Sequence, residues 1–308
     1  MILGIDVGGT TVKFGIVSVD GEILDKKAYD THIWDSSASS FVENVISIIQ
    51  SYQASYEISG IGIGLPGLLS ADRRSTLDLA NIPSLNNQPI LSMLEKKIKN
   101  VPIKIENDAK CAALGEVFFG EYDDLDSYLM ITLGTGVGGG LVINKKLFIG
   151  INGNATEIGH ILLSDGDTLE NHIGQEKISR FTRDWLKKEK YKSSLLQGKV
   201  LSPKEIFKAA LEGDKCAKDV FFFVGECVGE MLVGVIRLLD LTTFLLAGGV
   251  AGASQFIEPG IRSKLEESLT PYYTKQVKIK KATLSADSGI LGAASLIMHE
   301  ISTVQKTS

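Results

Sequence analysis

The chain has 308 residues, of which 44% are hydrophobic and 22% charged, and its formal net charge is −5. This length is comfortable for two domains, and the composition is typical of a folded globular protein and argues against a disordered one. Lys and Arg form no long block, which argues against nonspecific binding to nucleic acid or to an anionic membrane. No segment reaches the roughly 18 apolar residues that a membrane span needs.

The cysteines and the N-terminus indicate a cytoplasmic protein. Cys111, Cys216 and Cys227 are few, odd in number and without C-x-x-C spacing. Residues 1–6 contain neither the basic region nor the apolar run of a signal peptide. We therefore expect reduced thiols, each packed as a small core residue.

Strands and helices are predicted to alternate along the chain. In order, we predict strands within 3–17, a helix over 41–52, a strand over 60–65, a helix over 90–98, a strand over 101–105, a helix over 108–117, strands within 129–143, a helix starting at Ser202-Pro203, a helix over 214–239, a strand over 242–247 and a helix over 288–298. This alternation indicates an α/β fold.

An internal repeat divides the chain. Residues 3–17 and 129–143 each contain an apolar strand, a turn rich in Gly and Thr, and a second apolar strand, with Gly8 and Gly134 in corresponding positions. A repeat of this length is too long for a solenoid. We predict two related domains around a cleft: a smaller one over 1–118, on which a C-terminal helix at about 288–308 packs back, and a larger one over 119–287.

The first glycine-rich turn has the residues of a phosphate site. Gly8 and Gly9 let backbone N–H groups approach an anion, and the Thr10 hydroxyl can add a donor. Asp6 can hold Mg²⁺ through water, and Lys13 can meet a phosphate. A plain tight hairpin would explain the glycines but not the flanking Asp and Lys.

The second turn, residues 134–139, formally matches G-x-G-x-x-G. A dinucleotide site would require a helix next, whereas residues 140–144 are strand-like. There is no G-x-x-x-x-G-K-[ST], so a P-loop is excluded. Two glycine hairpins facing each other would instead grip the β- and γ-phosphates of ATP.

Polar residues elsewhere suit a sugar substrate. Asp108 follows a predicted strand and starts a helix, where it could cap the helix or, beside two phosphate loops, act as a general base. Glu157 and His160, with Glu170 nearby, suit the paired hydroxyls of a sugar ring. Asn81 is a further candidate, although a turn residue before Ile-Pro is the alternative.

Taken together, these motifs resemble the ROK family of sugar kinases and sugar-responsive repressors, whose fold is the actin-like ATPase (ribonuclease H-like) fold. The resemblance covers nearly the whole chain. Its segments are Asp6-x-Gly8-Gly9-Thr10, Gly62-x-Gly64-x-Pro66-Gly67, Asn81-Ile82-Pro83, Glu106-Asn107-Asp108-Ala109, Gly134-Thr135-Gly136-x-Gly138-Gly139, Glu157-x-Gly159-His160 and Ala247-Gly248-Gly249-Val250.

The resemblance implies a role for each segment. ATP and Mg²⁺ would be bound by Asp6, Gly8, Gly9, Thr10, Lys13, Gly134, Thr135, Gly136 and Gly138, with Gly248 and Gly249 on the adenosine side. The sugar would be held by Pro66, Gly67, Asn81, Asn107, Asp108, Glu157, His160 and Glu170. Asp108 would be the catalytic base, and Asp6 would hold Mg²⁺ through water.

We therefore expect an ATP-dependent kinase for the 6-hydroxyl of glucose or a similar hexose, forming a homodimer. N-acetylmannosamine, N-acetylglucosamine, fructose or a β-glucoside is the alternative acceptor, and polyphosphate the alternative donor. A repressor would need a helix-turn-helix domain before Asp6, for which the sequence has no room. A silent sugar-binding protein is disfavoured because Asp6 and Asp108 are both present.

One departure from the family concerns zinc. The family's E-x-G-H is usually followed by C-x-C-G-x-x-G-C-x-E, which binds zinc, but this chain has no cysteine between His160 and Cys216. The loop is shortened, and Leu169-Glu170 resembles the Leu-Glu that closes it. Packing and hydrogen bonds, with Glu157 or Asn171 as candidate partners, must then hold His160 in place.

We predict that the protein phosphorylates sugar without zinc, because a structural zinc site takes four ligands, usually with three or four cysteines among them. Metal analysis of the purified protein should find no stoichiometric zinc, and zinc-selective chelation in excess Mg²⁺ should leave activity unchanged. One zinc per chain, or activity lost on chelation and restored by zinc, would contradict this prediction.

Overall fold

A computed structural model of the chain describes residues 1–122, 124–284 and 287–305, with the side chains of 299–305 outside the description. The end of the predicted closing helix, residues 306–308, lies outside the described residues.

The strands include those predicted from the sequence, with bounds that differ by at most two residues, and several others that the sequence pattern did not predict. They are β1 (Ile2–Val7), β2 (Thr11–Val17), β3 (Ile23–Asp30), β4 (Gly60–Leu65), β5 (Leu68–Leu69), β6 (Thr76–Asp78), β7 (Ile103–Asn107), β8 (Tyr128–Leu133), β9 (Val137–Ile143), β10 (Lys146–Phe148), β11 (Thr243–Ala247) and β12 (Lys278–Lys281).

The helices include several short ones that the sequence pattern did not predict. They are α1 (Thr31–Trp34), α2 (Ala38–Gln53), α3 (Ile90–Glu95), α4 (Asp108–Phe119), α5 (Leu169–Ile173), α6 (Gln175–Trp185), α7 (Pro203–Leu211), α8 (Lys215–Leu239), α9 (Ser254–Ser268), α10 (Pro271–Thr274) and α11 (Ser288–Gln305). Among the described residues, no helix is long and apolar enough to cross a membrane.

Two five-stranded sheets repeat one strand order. The first is β3-β2-β1-β4-β7, and the second is β10-β9-β8-β11-β12. In the first, β1, β2 and β3 pair antiparallel, whereas β1, β4 and β7 pair parallel. In the second, β9 and β10 pair antiparallel, and β8, β11 and β12 parallel. The internal repeat in the sequence is therefore a repeat of sheet topology.

The chain divides into two compact units. The first contains residues 1–126, 140–155 and 283–308, and the second contains 127–139 and 156–282. The first unit thus extends beyond the expected boundary at 118 and includes the segment 140–155. Gly140 packs closely on α4 of this unit, because a Cβ at this position would collide with the methyl group of Ala113.

The C-terminal helix α11 packs on β1, β4 and α4 of the first unit. Gly4 and Gly62 allow this approach, because a Cβ on either would strike a backbone carbonyl of α11, at Ile290 and Ala293 respectively. Gly62 of the strand motif 62–67 therefore has a packing role in addition to any ligand role.

Candidate active site

The turn between β1 and β2 is anchored to the start of α1. Gly8 donates its N–H to Thr11 O at 3.0 Å, as expected for a tight hairpin. The fully buried Thr31 donates its hydroxyl to Gly8 O at 2.7 Å and its N–H to Thr10 O at 3.0 Å. The sequence analysis missed Thr31, which no local motif marks. Its contacts hold the glycine turn in one conformation.

Asp6 occupies a tight, mostly buried position near the end of β1. Its carboxylate lies 3.6 Å from Lys13 Nζ, its cross-strand partner. Gly289 in the first turn of α11 packs against the carboxylate so closely that a Cβ would collide with it. Burial raises the pKa of Asp6, and the nearby Lys13 charge opposes this increase. A carboxylate whose charge is only partly compensated suits a cation, so Asp6 fits a Mg²⁺ ligand through water.

Asn81 lies against the same turn. A Cβ built on Gly9 would come within 2.7 Å of Asn81 Cβ. The Asn81 side chain is exposed, although the segment is held by its buried neighbour Ile82. A predicted sugar residue and a predicted phosphate turn are thus adjacent in the first unit.

The junction between β7 and α4 differs from the predicted one. Asn107, not Asp108, is the N-cap of α4, because its Oδ1 accepts the Lys110 N–H at 3.1 Å. Its Nδ2 donates to Gly67 O at 3.2 Å. Gly67 has a φ of +79°, and a Cβ there would collide with the backbone of Asp78. Asp108 is the first helical residue, and its Oδ1 accepts the Ala109 N–H at 2.8 Å.

Strand register brings the two predicted carboxylates to one edge of the first sheet. Asp6 pairs with Gly64 of β4, and Gly64 pairs with Glu106 of β7, two residues before Asp108. Burial, followed by the negative charges of Glu106, Asp108 and Asp6, raises the pKa of the buried Cys111 well above its usual value. The carboxyl ends of parallel strands are where open α/β sheets bind ligands.

In the second unit, the glycine turn between β8 and β9 is braced by the segment around α5. Gly134 donates to Gly136 O at 3.0 Å and accepts from the Gln175 N–H at 3.1 Å. Val137 donates to Glu170 Oε2 at 2.8 Å. A Cβ on Gly136 would collide with this carboxylate, whereas at Gly134 no described atom lies within 4 Å of the Cβ position. Glu170, a predicted sugar residue, therefore helps to shape the turn that is predicted to bind phosphate.

Gly248 and Gly249 follow β11 beside the end of β8. Gly248 has a φ of +84°, and a Cβ on it would strike the backbone of Leu133. At Gly249 the Cβ position is open. Because Leu133 directly precedes Gly134, the structure brings this glycine turn next to the β8–β9 turn.

The E-x-G-H segment forms a short 3₁₀ turn over Ile158–His160. His160 donates its N–H to Glu157 O at 3.1 Å, and its side chain is exposed. A Cβ on Gly159 would collide with Val137 O, so this glycine packs the turn against β9. The segment thus lies beside the glycine turn in the second unit.

Hydrogen bonds organise the shortened loop that follows. His172 contacts Thr168 O through Nδ1 at 2.9 Å and Asp165 Oδ2 through Nε2 at 2.8 Å. Both partners are acceptors, so only the protonated ring can donate to both. Burial lowers the pKa of His172, but these hydrogen bonds and the charges of Asp165 and Asp167 leave it raised. Asn171 donates to Asp167 Oδ1 at 2.7 Å.

The arrangement of His, Cys, Asp and Glu side chains bears on the predicted absence of zinc. Within the part of the chain that the structure describes, no group of three or more His, Cys, Asp or Glu residues is arranged to hold a metal ion. All three cysteines are buried and free. Asn171, one of the two residues expected to hold His160 in place, instead donates to Asp167 within the loop.

Two sheets of identical strand order, each with a glycine-rich turn after its first strand, define an actin-like ATPase fold, as the sequence predicted. The ROK family model matches residues 2–300. The chain belongs to the ROK family.

Relatives and solved structures agree with this assignment. The chain is 30% identical to the glucokinase of Thermotoga maritima, over 97% of this chain and 98% of the relative. A protein from Cytophaga hutchinsonii of known crystal structure is 45% identical, with a TM-score of 0.91 over 97% of this chain and 99% of that one. A ROK family glucokinase from Streptomyces griseus, in complex with glucose and AMPPNP, is 28% identical, with a TM-score of 0.79 over 96% and 98% of the two chains.

We predict that Asp6→Asn stabilises the protein while reducing its activity. The raised pKa means that Asp6 favours the fold when protonated and that this contribution is lost as pH rises through the folded-state pKa. At pH 7, Asn removes the cost of a buried charge, and a gain of about 1 kcal/mol would raise the unfolding midpoint by roughly 2–4 °C. The gain should shrink as the pH is lowered to about 4, because the raised pKa lets the Asp6 carboxyl take up its proton at a higher pH in the folded protein than in the unfolded chain.

Thermal unfolding at pH 7 and at about pH 4 measures the change in stability, and kcat/KM for Mg-ATP measures the change in activity. Asp20→Asn, in the exposed turn at the opposite end of the β2 strand, is the control. A lower midpoint at pH 7, or unchanged kcat/KM, would show that Asp6 is structural.

The open Cβ position at Gly134 allows a direct test of the phosphate turn. We predict that Gly134→Ala leaves the unfolding midpoint unchanged but weakens ATP binding by at least about tenfold, because the methyl group would occupy the space of a phosphate. Calorimetric titration with a non-hydrolysable ATP analogue gives the affinity.

Gly234→Ala is the matched control, since Gly234 is exposed in α8 and its Cβ position is equally open. Gly136→Ala is less informative because it would also displace Glu170. Unchanged ATP affinity in Gly134→Ala would remove this turn from the nucleotide site.

Proposed function

We propose that this chain is an ATP-dependent hexose kinase that transfers the γ-phosphoryl group of ATP to the 6-hydroxyl of glucose or a similar hexose. The observation that carries the proposal is the placement of Asp6 and Asp108 at the carboxyl ends of β1 and β7, the two parallel strands that flank β4, with a glycine turn directly after β1. The family relationship and the glucokinase relatives support the same activity.

Asp108 is the proposed general base. It accepts the proton of the 6-hydroxyl while that oxygen forms a bond to the γ-phosphorus, the bond from this phosphorus to the β–γ bridging oxygen breaks, and ADP leaves. The N–H of Ala109 holds one oxygen of the carboxylate at 2.8 Å. The cap by Asn107 fixes the first turn of α4, and with it the direction of the Asp108 side chain.

The phosphates are assigned to the glycine turns of both units. In the first unit, Thr31 and the β-hairpin hold Gly8, Gly9 and Thr10, and Lys13 adds a positive charge. In the second, Glu170 shapes the turn that contains Gly134. Mg²⁺, for which Asp6 is the proposed ligand, would neutralise charge on the phosphates when bound.

The hexose is assigned to residues that neighbour these turns. Asn81 offers an exposed amide beside Gly9 in the first unit. Glu157 and His160 offer a carboxylate and an exposed imidazole in the second unit. In contrast, Asn107 uses both ends of its amide within the fold, so we assign it to positioning Asp108 and not to primary sugar recognition.

A coupled ADP-release assay over a panel of sugars tests the proposal. The panel contains glucose, mannose, fructose, N-acetylglucosamine, N-acetylmannosamine and a β-glucoside, with ATP or polyphosphate as donor. The highest kcat/KM is expected for glucose with ATP. A preference for an N-acetylated sugar would replace the substrate but keep the mechanism, whereas no turnover of any sugar would overturn the proposed activity.

Asp108→Asn should retain sugar binding and lower kcat by a factor on the order of 10²–10⁴, because the base is lost while the shape is kept. Steady-state kinetics with glucose and calorimetric glucose binding give both quantities. Asp20→Asn again serves as control and should behave as the wild type. Near-normal turnover of Asp108→Asn would remove Asp108 from the mechanism.

A further inference from the structure

Arg73 is a mostly buried arginine in the turn between β5 and β6. Its Nε donates to Glu106 Oε2 at 2.8 Å, and the two side chains are only 16% and 6% exposed. Its Nη1 donates to Ser70 O at 3.1 Å, and its Nη2 donates to Gly153 O. All three guanidinium nitrogens therefore have acceptors in the first unit. These three hydrogen bonds fix the orientation of the planar guanidinium, and the single ammonium group of a lysine could not replace them.

Glu106 connects Arg73 to the backbone of the proposed catalytic residues. Its second oxygen, Oε1, accepts the backbone N–H of Asn107 at 2.8 Å. Asn107 in turn caps α4 at the residue where Asp108 begins the helix. A continuous series of hydrogen bonds thus runs from Arg73 through Glu106 to the backbone that carries Asp108.

The backbone of Arg73 indicates that this side chain has a specific role. Its φ of +56° lies in the left-handed region, which is unfavourable for a residue with a Cβ and which glycine adopts without strain. Gly153, opposite the guanidinium, has a φ of +87°, and a Cβ on it would collide with the Arg73 guanidinium. An arginine kept where the backbone favours glycine points to a function of its guanidinium.

We propose that Arg73 is a positioning residue for phosphoryl transfer, acting through Glu106 to hold the Asn107–Asp108 junction in its productive geometry. The inference rests on the proposed hexose kinase function. Removal of the guanidinium leaves the Glu106 carboxylate buried without its ion-pair partner, so this carboxylate must reorient and release the Asn107 N–H. A displacement of Asp108 by about 1 Å can cost about 10²-fold in rate.

Arg73→Gly is the variant of choice, because glycine suits the backbone of this turn and removes only the side chain. We expect kcat to fall by about 10- to 100-fold, with KM for ATP within about threefold of the wild type, because the nucleotide turns are untouched. Arg73→Lys, which keeps the charge but loses the planar fork, should fall between Arg73→Gly and the wild type. Thermal unfolding of each variant serves to check that it is folded at the assay temperature.

Arg74→Met is the matched control. Arg74 lies in the same turn but pairs with Glu95, and both side chains of that pair are 44% exposed. It should retain wild-type kcat. A loss in Arg74→Met equal to that in Arg73→Gly would show that the turn, and not Arg73, matters.

The double variant Arg73→Gly/Glu106→Gln tests whether Arg73 acts through Glu106. Because it removes one charge of each sign, it also avoids the unfolding that an unpaired, buried Glu106 carboxylate could cause. If Arg73 acts through Glu106, the loss of kcat in the double variant should equal the larger of the losses in Arg73→Gly and Glu106→Gln. Wild-type kcat in folded Arg73→Gly or in the double variant, or losses that simply add, would overturn the inference.

The wild-type assay separates this inference from the proposed function. An absence of turnover in the wild-type protein with every sugar overturns the kinase assignment and, with it, the role of Arg73 in phosphoryl transfer. Turnover in the wild type together with wild-type kcat in Arg73→Gly overturns the role of Arg73 alone.

Discussion

The parallel pairing of β1, β4 and β7 determines where the candidate residues of the first unit lie. The register places Asp6, Gly64 and Glu106 side by side. The Asp6 carboxylate and the start of α4 therefore lie at the same edge of the sheet. A shift by one residue would turn each side chain to the other face of the sheet. The close contact of α11 with Gly4 and Gly62 makes such a shift costly, since the backbones leave no room for a Cβ.

Buried carboxylates in the first unit are stabilised in different ways. Glu106 is paired with a guanidinium and a backbone N–H. Glu116 accepts the N–H and hydroxyl of Thr283 and the N–H of Leu284, and so ties α4 to the segment that precedes α11. Asp6 lies 3.6 Å from Lys13, whose charge opposes but does not cancel the effect of burial, so its pKa is raised. The least compensated of these three charges belongs to the residue proposed to hold a cation, as expected where function opposes stability.

Glycines in similar motifs have different physical roles. Gly67 and Gly248 adopt positive φ angles, whereas Gly62 and Gly159 admit close packing of a helix and of a strand. At Gly134 and Gly249, by contrast, the Cβ position is open. Glycines of this last kind leave space for a ligand in the direction of the missing side chain, and the motif letters do not separate the three kinds. The sequence predicted the glycine-rich turns correctly but could not divide the glycines between packing, backbone conformation and binding.

The sequence by itself determined the α/β alternation, the duplicated hairpins and the family, because apolar periodicity and turn chemistry are encoded within a few neighbouring residues. Tertiary structure alone decided that Asn107 and not Asp108 caps α4, that Glu170 braces the second turn, and that Arg73 pairs with Glu106 across 33 residues of sequence. Such contacts depend on strand register and on the turns that return the chain, and these are set by packing between distant segments and not by local propensity.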